Sequence, residues 1–169
     1  MKTRLPVFAI LIALFFGLVA PELRAANSPK PLSAKKFDAL AAAALFAMKQ
    51  KAAELNISGV AVVSFAPGDT VQAWSSKMAV IGRSTDPQTD TQKGNNLIGI
   101  AYAKSAEMAE TLQDSGTAKR PPMTGEFSWQ GGVVLPVKGG HLIVAFSGGK
   151  SEDDLQVSRA GLAVMKKGL

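Results

Sequence analysis

One imidazole, one phenol and a lysine set among small residues are the chemical resources of this sequence. In 169 residues there is a single histidine, His141, a single tyrosine, Tyr102, and no cysteine. Without thiols there is no disulfide scaffold, no thiolate nucleophile, no iron–sulfur cluster and no thiolate zinc site. One histidine also removes every site that needs two imidazoles from one chain. Lys104 lies in IAYAKSAEMAETL, residues 100–112. An amine in such a setting can serve as a nucleophile when a base stands beside it, but no partner base is apparent, and a snorkelling surface lysine is the ordinary alternative. Asp153 and Asp154 follow Ser151, where carboxylates cap a helix more readily than they move protons. Gly148-Gly149, just ahead of them, can offer amides to an anion, although two carboxylates alongside disfavour a phosphate. No proton-transfer constellation can be assembled from this set, so the residues lean away from an enzyme.

The elements that must hold these groups follow from periodicity. Phe37, Leu40, Ala41, Ala44, Leu45, Met48, Ala52 and Leu55 recur at helical spacing behind Ser33, a good N-cap. Ile57 to Phe65 is a β-branched run, Ala66-Pro67-Gly68-Asp69 is a turn, and Thr70 to Met78 alternates loosely, which predicts a hairpin. Arg83 to Asn96 holds no large apolar residue and reads as a surface loop. A second helix is expected over Leu97–Asp114, ended by Ser115-Gly116. Three strand-like pieces follow at Glu126–Trp129, Val133–Val137 and His141–Ser147, with Lys138-Gly139-Gly140 as a tight turn, and a last helix begins at Ser151. Met48 and Met108 fall in helical stripes and read as core filler. This order gives an α+β domain with helices on a small antiparallel sheet.

Ahead of that domain stands a different kind of segment. Lys2 and Arg4 precede an unbroken apolar run from Val7 to Ala20, and Ala25 follows as a small residue. The run is shorter than the roughly 20 residues a spanning helix needs, so residues 1–25 are expected to be a cleaved signal peptide, residues 26–32 a short tether, and residues 33–169 the domain. Export, to a periplasmic or secreted location with no stable membrane span after cleavage, is the expectation. The formal charge of +6 has no block denser than Lys35-Lys36 or Lys166-Lys167, so nucleic acid is not an expected partner.

Three stretches carry further information: IAYAKSAEMAETL, FSWQGGVVLPVKGGHLIVAFSGG (residues 127–149) and SEDDLQVSRAGLAVM (residues 151–165). In that order, behind ISGVAVVSFAPGDTVQAW, they resemble the GlcG/HbpS-like haem-binding family, the haem-degrading or PduO C-terminal-like domains. The resemblance rests on Lys104 with Ala101 and Ala109, Gly131-Gly132, Ser147-Gly148, Asp154 and Ala160-Gly161. Ala145-Phe146 and Leu155 depart from the family pattern, which usually has Gly and an aliphatic residue at the first pair and an acidic residue at the last.

The resemblance implies a profilin-like domain with a five-stranded antiparallel sheet and helices on both faces. It also implies a homo-oligomer that binds haem or a related tetrapyrrole, in some members feeding a sensor partner. On that footing His141 is the candidate axial metal ligand, with a solvated turn histidine as the plain alternative. Tyr102 can bind ferric iron or simply pack. Phe127 and Trp129 can stack on a porphyrin or serve as one core and one exposed aromatic. Lys119 and Arg120 can pair with propionates or keep a loop wet. Gly131, Gly132, Gly148 and Gly161 are expected to serve the backbone. Two other classes remain open: an enzyme or enzyme accessory acting on a small organic molecule, and a ligand-free oligomeric module.

Overall fold

The structure is a computed structural model that describes residues 32–169. The expected signal peptide and all of the tether but Leu32 lie outside the described residues.

Helix α1, Ala34–Glu54, starts where the Ser33 hydroxyl accepts the Lys36 N–H at 3.3 Å. Its buried stripe is Phe37, Ala41, Ala44, Met48 and Ala52, so small side chains alternate with large ones and the helix sits close to its neighbours. Strand β1, Gly59–Pro67, is buried along all but its last residue, as a central strand covered on both faces must be. It pairs antiparallel with β2, Ser75–Ile81, in the register Val60↔Val80 to Phe65↔Ser75. The loop from Arg83 contains a two-rung ladder of β3, Thr85–Asp86, and β4, Asn95–Asn96. Helix α2 follows at once, Leu97–Thr111, with the Asn96 side chain accepting the Gly99 N–H.

Strands β5, Gly132–Val137, and β6, Gly140–Ser147, form a hairpin, and helix α3 runs Ser151–Gly168. The main sheet has the order β2-β1-β6-β5, antiparallel throughout. Alternation divides it into two cores. Ala61, Val63, Phe65, Leu142, Val144 and Phe146 pack under α1 and α3 with Met48, Val157 and Met165. Val60, Val62, Ile143 and Ala145 pack on the opposite face, with Leu97, Ile100, Ala101 and Met108 of α2. The α+β class, with helices on both faces of the sheet, is therefore the fold. Met48 and Met108 are fully buried and fill those cores. Among the described residues no helix is long and apolar enough to cross a membrane.

The sheet has four strands, not five. The expected strand at Glu126–Trp129 does not form, because Gly125 (φ 96°) and Ser128 (φ 50°) take left-handed conformations that interrupt an extended run. Helix α2 also stops earlier than its spacing predicted: Leu112 adopts φ 52° and its N–H closes on the Met108 carbonyl. The residues thereby released cover the margin of β5. The Gly132 N–H donates to Ser115 Oγ at 2.8 Å and the Val134 N–H to Asp114 Oδ1 at 2.9 Å. Pro136, next in the same outward register, has no N–H to satisfy.

Candidate functional site

Lys104 extends from the inward stripe of α2 toward the end of β6 and is only 3% exposed. Its Nζ donates to the Phe146 carbonyl at 2.9 Å and to Asp154 Oδ2 at 2.8 Å. Asp154, also 3% exposed, lies in the first turn of α3, and its Oδ1 accepts the Gly149 N–H at 2.7 Å. Gly131 fits against this pair. A side chain there would meet Asp154 Cβ at 2.7 Å, the Phe146 carbonyl at 3.1 Å and the Lys104 amine, and its φ is 130°. The Gly131 carbonyl accepts from the Phe146 N–H and from the Ser158 hydroxyl. Gly132 rests on Met108, and Gly161 lies against Met48. Lys104, Gly131, Ser147, Gly148 and Asp154, drawn from three stretches of sequence, thus gather around one buried ion pair, while Gly132 and Gly161 serve packing elsewhere. Burial pulls the Lys104 amine below its ordinary range and pushes the Asp154 carboxyl above its own, each opposed by the charge of the other.

The pair forms one wall of a cavity of about 110 Å³ between α2, the start of α3 and the end of β6. Ser147, Gly148 and Ser151 also line it, and Trp129 stands on its loop side. A clamp closes the far rim. Arg83 donates to Asp86 Oδ1 and to the Gly148 carbonyl, both at 2.7 Å, and Asn95 donates to Asp86 Oδ2 at 2.9 Å. The Asn95 and Arg83 hydrogen bonds hold the Asp86 carboxyl below its usual range.

The residues expected to touch a tetrapyrrole do not share one place. Phe127 and Trp129 do come together, their ring centroids 4.9 Å apart and tilted 32°, and both are exposed, at 44% and 47%. Neither is a core aromatic. Lys119 is exposed on the same loop. Arg120 is already engaged: it donates to both Glu126 oxygens, at 2.7 and 2.8 Å, and to Glu110. Tyr102 packs beside the second core, its hydroxyl 3.4 Å from Ser76 Oγ. His141 pairs in register with Ala66 and Pro136 at the other end of β6 from Ser147, a span of about 20 Å along the strand. Its Nδ1 is buried without a hydrogen-bond partner. Among the described residues no three His, Asp or Glu side chains gather as a metal cluster.

The Arg120–Glu126 contact makes the loop pH-sensitive in a defined direction. Arg120 hydrogen bonding, with the Met123 N–H, holds the Glu126 carboxyl down to about 2. A depressed carboxyl stabilises above its unfolded pKa, and that contribution is lost as pH falls through the folded value. The loop carrying Phe127 and Trp129 is therefore expected to loosen between about pH 4 and 2. Tryptophan emission followed through acid titration should show this step, and Glu126→Gln should lack it.

Two features had no local signature. The partners Lys104 and Asp154 are 50 residues apart. Their only trace was a charge set among inward apolar residues: Lys104 among Ile100, Ala101 and Met108, where Glu107 is buried as well, and Asp154 ahead of Val157, Gly161 and Met165. The Arg83–Asp86–Asn95 clamp sat in a loop legible only as polar. Compared with known proteins, the chain matches no family model and no curated protein.

Proposed function

We propose that the chain is an exported, oligomeric, profilin-like protein that binds haem or a related tetrapyrrole, as a haem-sensing or haem-handling accessory. The observation that carries this reading is the convergence of Lys104, Gly131, Ser147, Gly148 and Asp154 on one cleft, with the exposed Phe127–Trp129 pair beside it. A flat apolar ligand needs an aromatic surface with few, fixed polar groups nearby, and this cleft offers both. The fit is to the ring and its carboxylates more than to an iron atom. No histidine, tyrosine or methionine lines the cleft, and His141, at the far end of β6, would not hold the iron of a ring resting on Trp129 of the same chain.

The reading predicts similar affinity for hemin and for iron-free protoporphyrin. Trp129→Ala is expected to weaken both about tenfold, the equivalent of about 1.4 kcal/mol of stacking and burial. Absorbance and fluorescence titration of the mature chain measures this. Binding of neither ligand in a saturable way overturns the reading. A His141→Ala chain whose bound spectrum changes in monomers would move the ring to the other end of β6. N-terminal sequencing of the exported protein tests the leader, with Ala26 expected as the first residue.

A further inference from the structure

We propose that the cavity beside Lys104 is a carboxylate site, which takes a short acidic arm of the ligand while the flat body stays outside on Phe127 and Trp129. The tetrapyrrole part of this statement rests on the proposed function; the carboxylate chemistry does not.

Size sets the first limit. About 110 Å³ corresponds to roughly three or four waters, room for a carboxylate with one or two methylenes, whereas drug-sized ligands occupy about 300–1,000 Å³. A macrocycle cannot enter.

Donor chemistry sets the second. Ser147 is 4% exposed and shares the α2 side of the sheet with Ile143 and Ala145. Its hydroxyl makes no hydrogen bond among the described residues and lies on the cavity wall, whereas Ser64, Ser105, Ser115 and Ser158, which are more deeply buried, are all bonded. A hydroxyl on a small polar cavity with both its donor and its acceptor capacity unspent is free to bond a ligand there. The Lys104 ammonium has three N–H groups and spends two, on Phe146 and Asp154. The third set of donors is the first-turn amides of α3, an 18-residue helix whose start lines the cavity and whose N-cap residue Lys150 makes no side-chain cap; Glu152, Asp153 and Asp154 in that turn already answer its dipole.

The acidic groups in the wall do not refuse one. Asp154 spends one oxygen on Lys104 and the other on Gly149, and Asp86 spends its two on Arg83 and Asn95. Glu152 and Asp153 in the same turn of α3, and buried Glu107 near Lys104, add negative charge around the cavity, so the wall suits a single negative charge and not the doubly charged phosphate. Trp129 lines the same cavity while stacking against Phe127, so a ring laid on the aromatics has its acidic arm at the mouth.

A carboxylate arm and a free short-chain acid share this chemistry, and the test separates them. Protoporphyrin IX and its dimethyl ester are titrated into the mature chain, and sodium propionate alone is followed by amide NMR at Ser147 and Gly149. The free acid is expected to bind about tenfold more tightly than the ester, as charge-assisted hydrogen bonds require. Ser147→Ala should shrink that preference to about threefold, leave the ester unchanged, and melt like the parent, since its hydroxyl bonds to nothing else. Equal binding of acid and ester overturns the carboxylate site and leaves tetrapyrrole binding standing. If neither porphyrin binds while propionate shifts both amides in the parent and not in Ser147→Ala, the site stands with a free short acid as its ligand and the tetrapyrrole reading falls. If nothing binds, both fall.

Discussion

Lys104→Met is expected to remove about 3–5 kcal/mol of folding stability, the range seen when one member of a buried ion pair is deleted. The size follows from what is stranded. Asp154 Oδ2 and the Phe146 carbonyl would each lose the donor they share, in a place only a few per cent exposed. An exposed lysine replaced in the same way shifts stability by about 0.5 kcal/mol or less, so the outcome separates a buried ion-pair lysine from the snorkelling surface lysine that the sequence offers as the ordinary alternative. The decisive companion is Lys104→Met with Asp154→Asn. The asparagine oxygen can still accept the Gly149 N–H, and the unpaired charge is gone. Urea unfolding followed by circular dichroism should show the double variant recovering about 2 kcal/mol relative to additivity. A loss below about 1 kcal/mol for Lys104→Met alone would mean that the ammonium reaches solvent and the ion pair does not organise the site.

Gly131→Ala carries the second largest effect, about 3 kcal/mol of destabilisation. Two costs combine. A β-carbon at φ 130° is conformationally strained, at about 1–3 kcal/mol, and the added methyl has nowhere to go between Asp154, the Phe146 carbonyl and the Lys104 amine, where overpacking costs about 1–3 kcal/mol. Gly125→Ala is the matched comparison. It shares the left-handed backbone, with φ 96°, but has nothing within 4 Å of the new methyl, so it should pay the first cost alone. Thermal melts of the two variants measure the difference, and equal losses would remove the packing argument.

The sequence made most of the frame legible, because the frame obeys local rules. Helix α1 with its Ser33 cap, the Lys138–Gly140 turn and the three helices' inward stripes follow from spacing and turn chemistry that act over a few residues. The missing fifth strand shows the limit of that logic. Phe127 and Trp129 alternate like strand residues, yet Ser128 turns left-handed between them, which no pattern of side-chain type announces. The site was legible only in pieces. Gly131, Ser147, Gly148 and Asp154 were singled out by resemblance, and their roles as neighbours of one ammonium depend on a pairing across 50 residues. Arg120 was expected to face a ligand carboxylate, but Glu126, six residues on, had already claimed it.

The guarding of β5 by Asp114, Ser115 and Pro136 has a consequence for assembly. Its outward N–H groups are spent or missing, whereas the outer side of β2 meets no other strand among the described residues. A sheet with one sealed border and one open border cannot grow without end by edge-to-edge addition. Two molecules joined through their open borders would make a continuous eight-stranded layer with both ends closed, so polymerisation along that axis terminates at a pair.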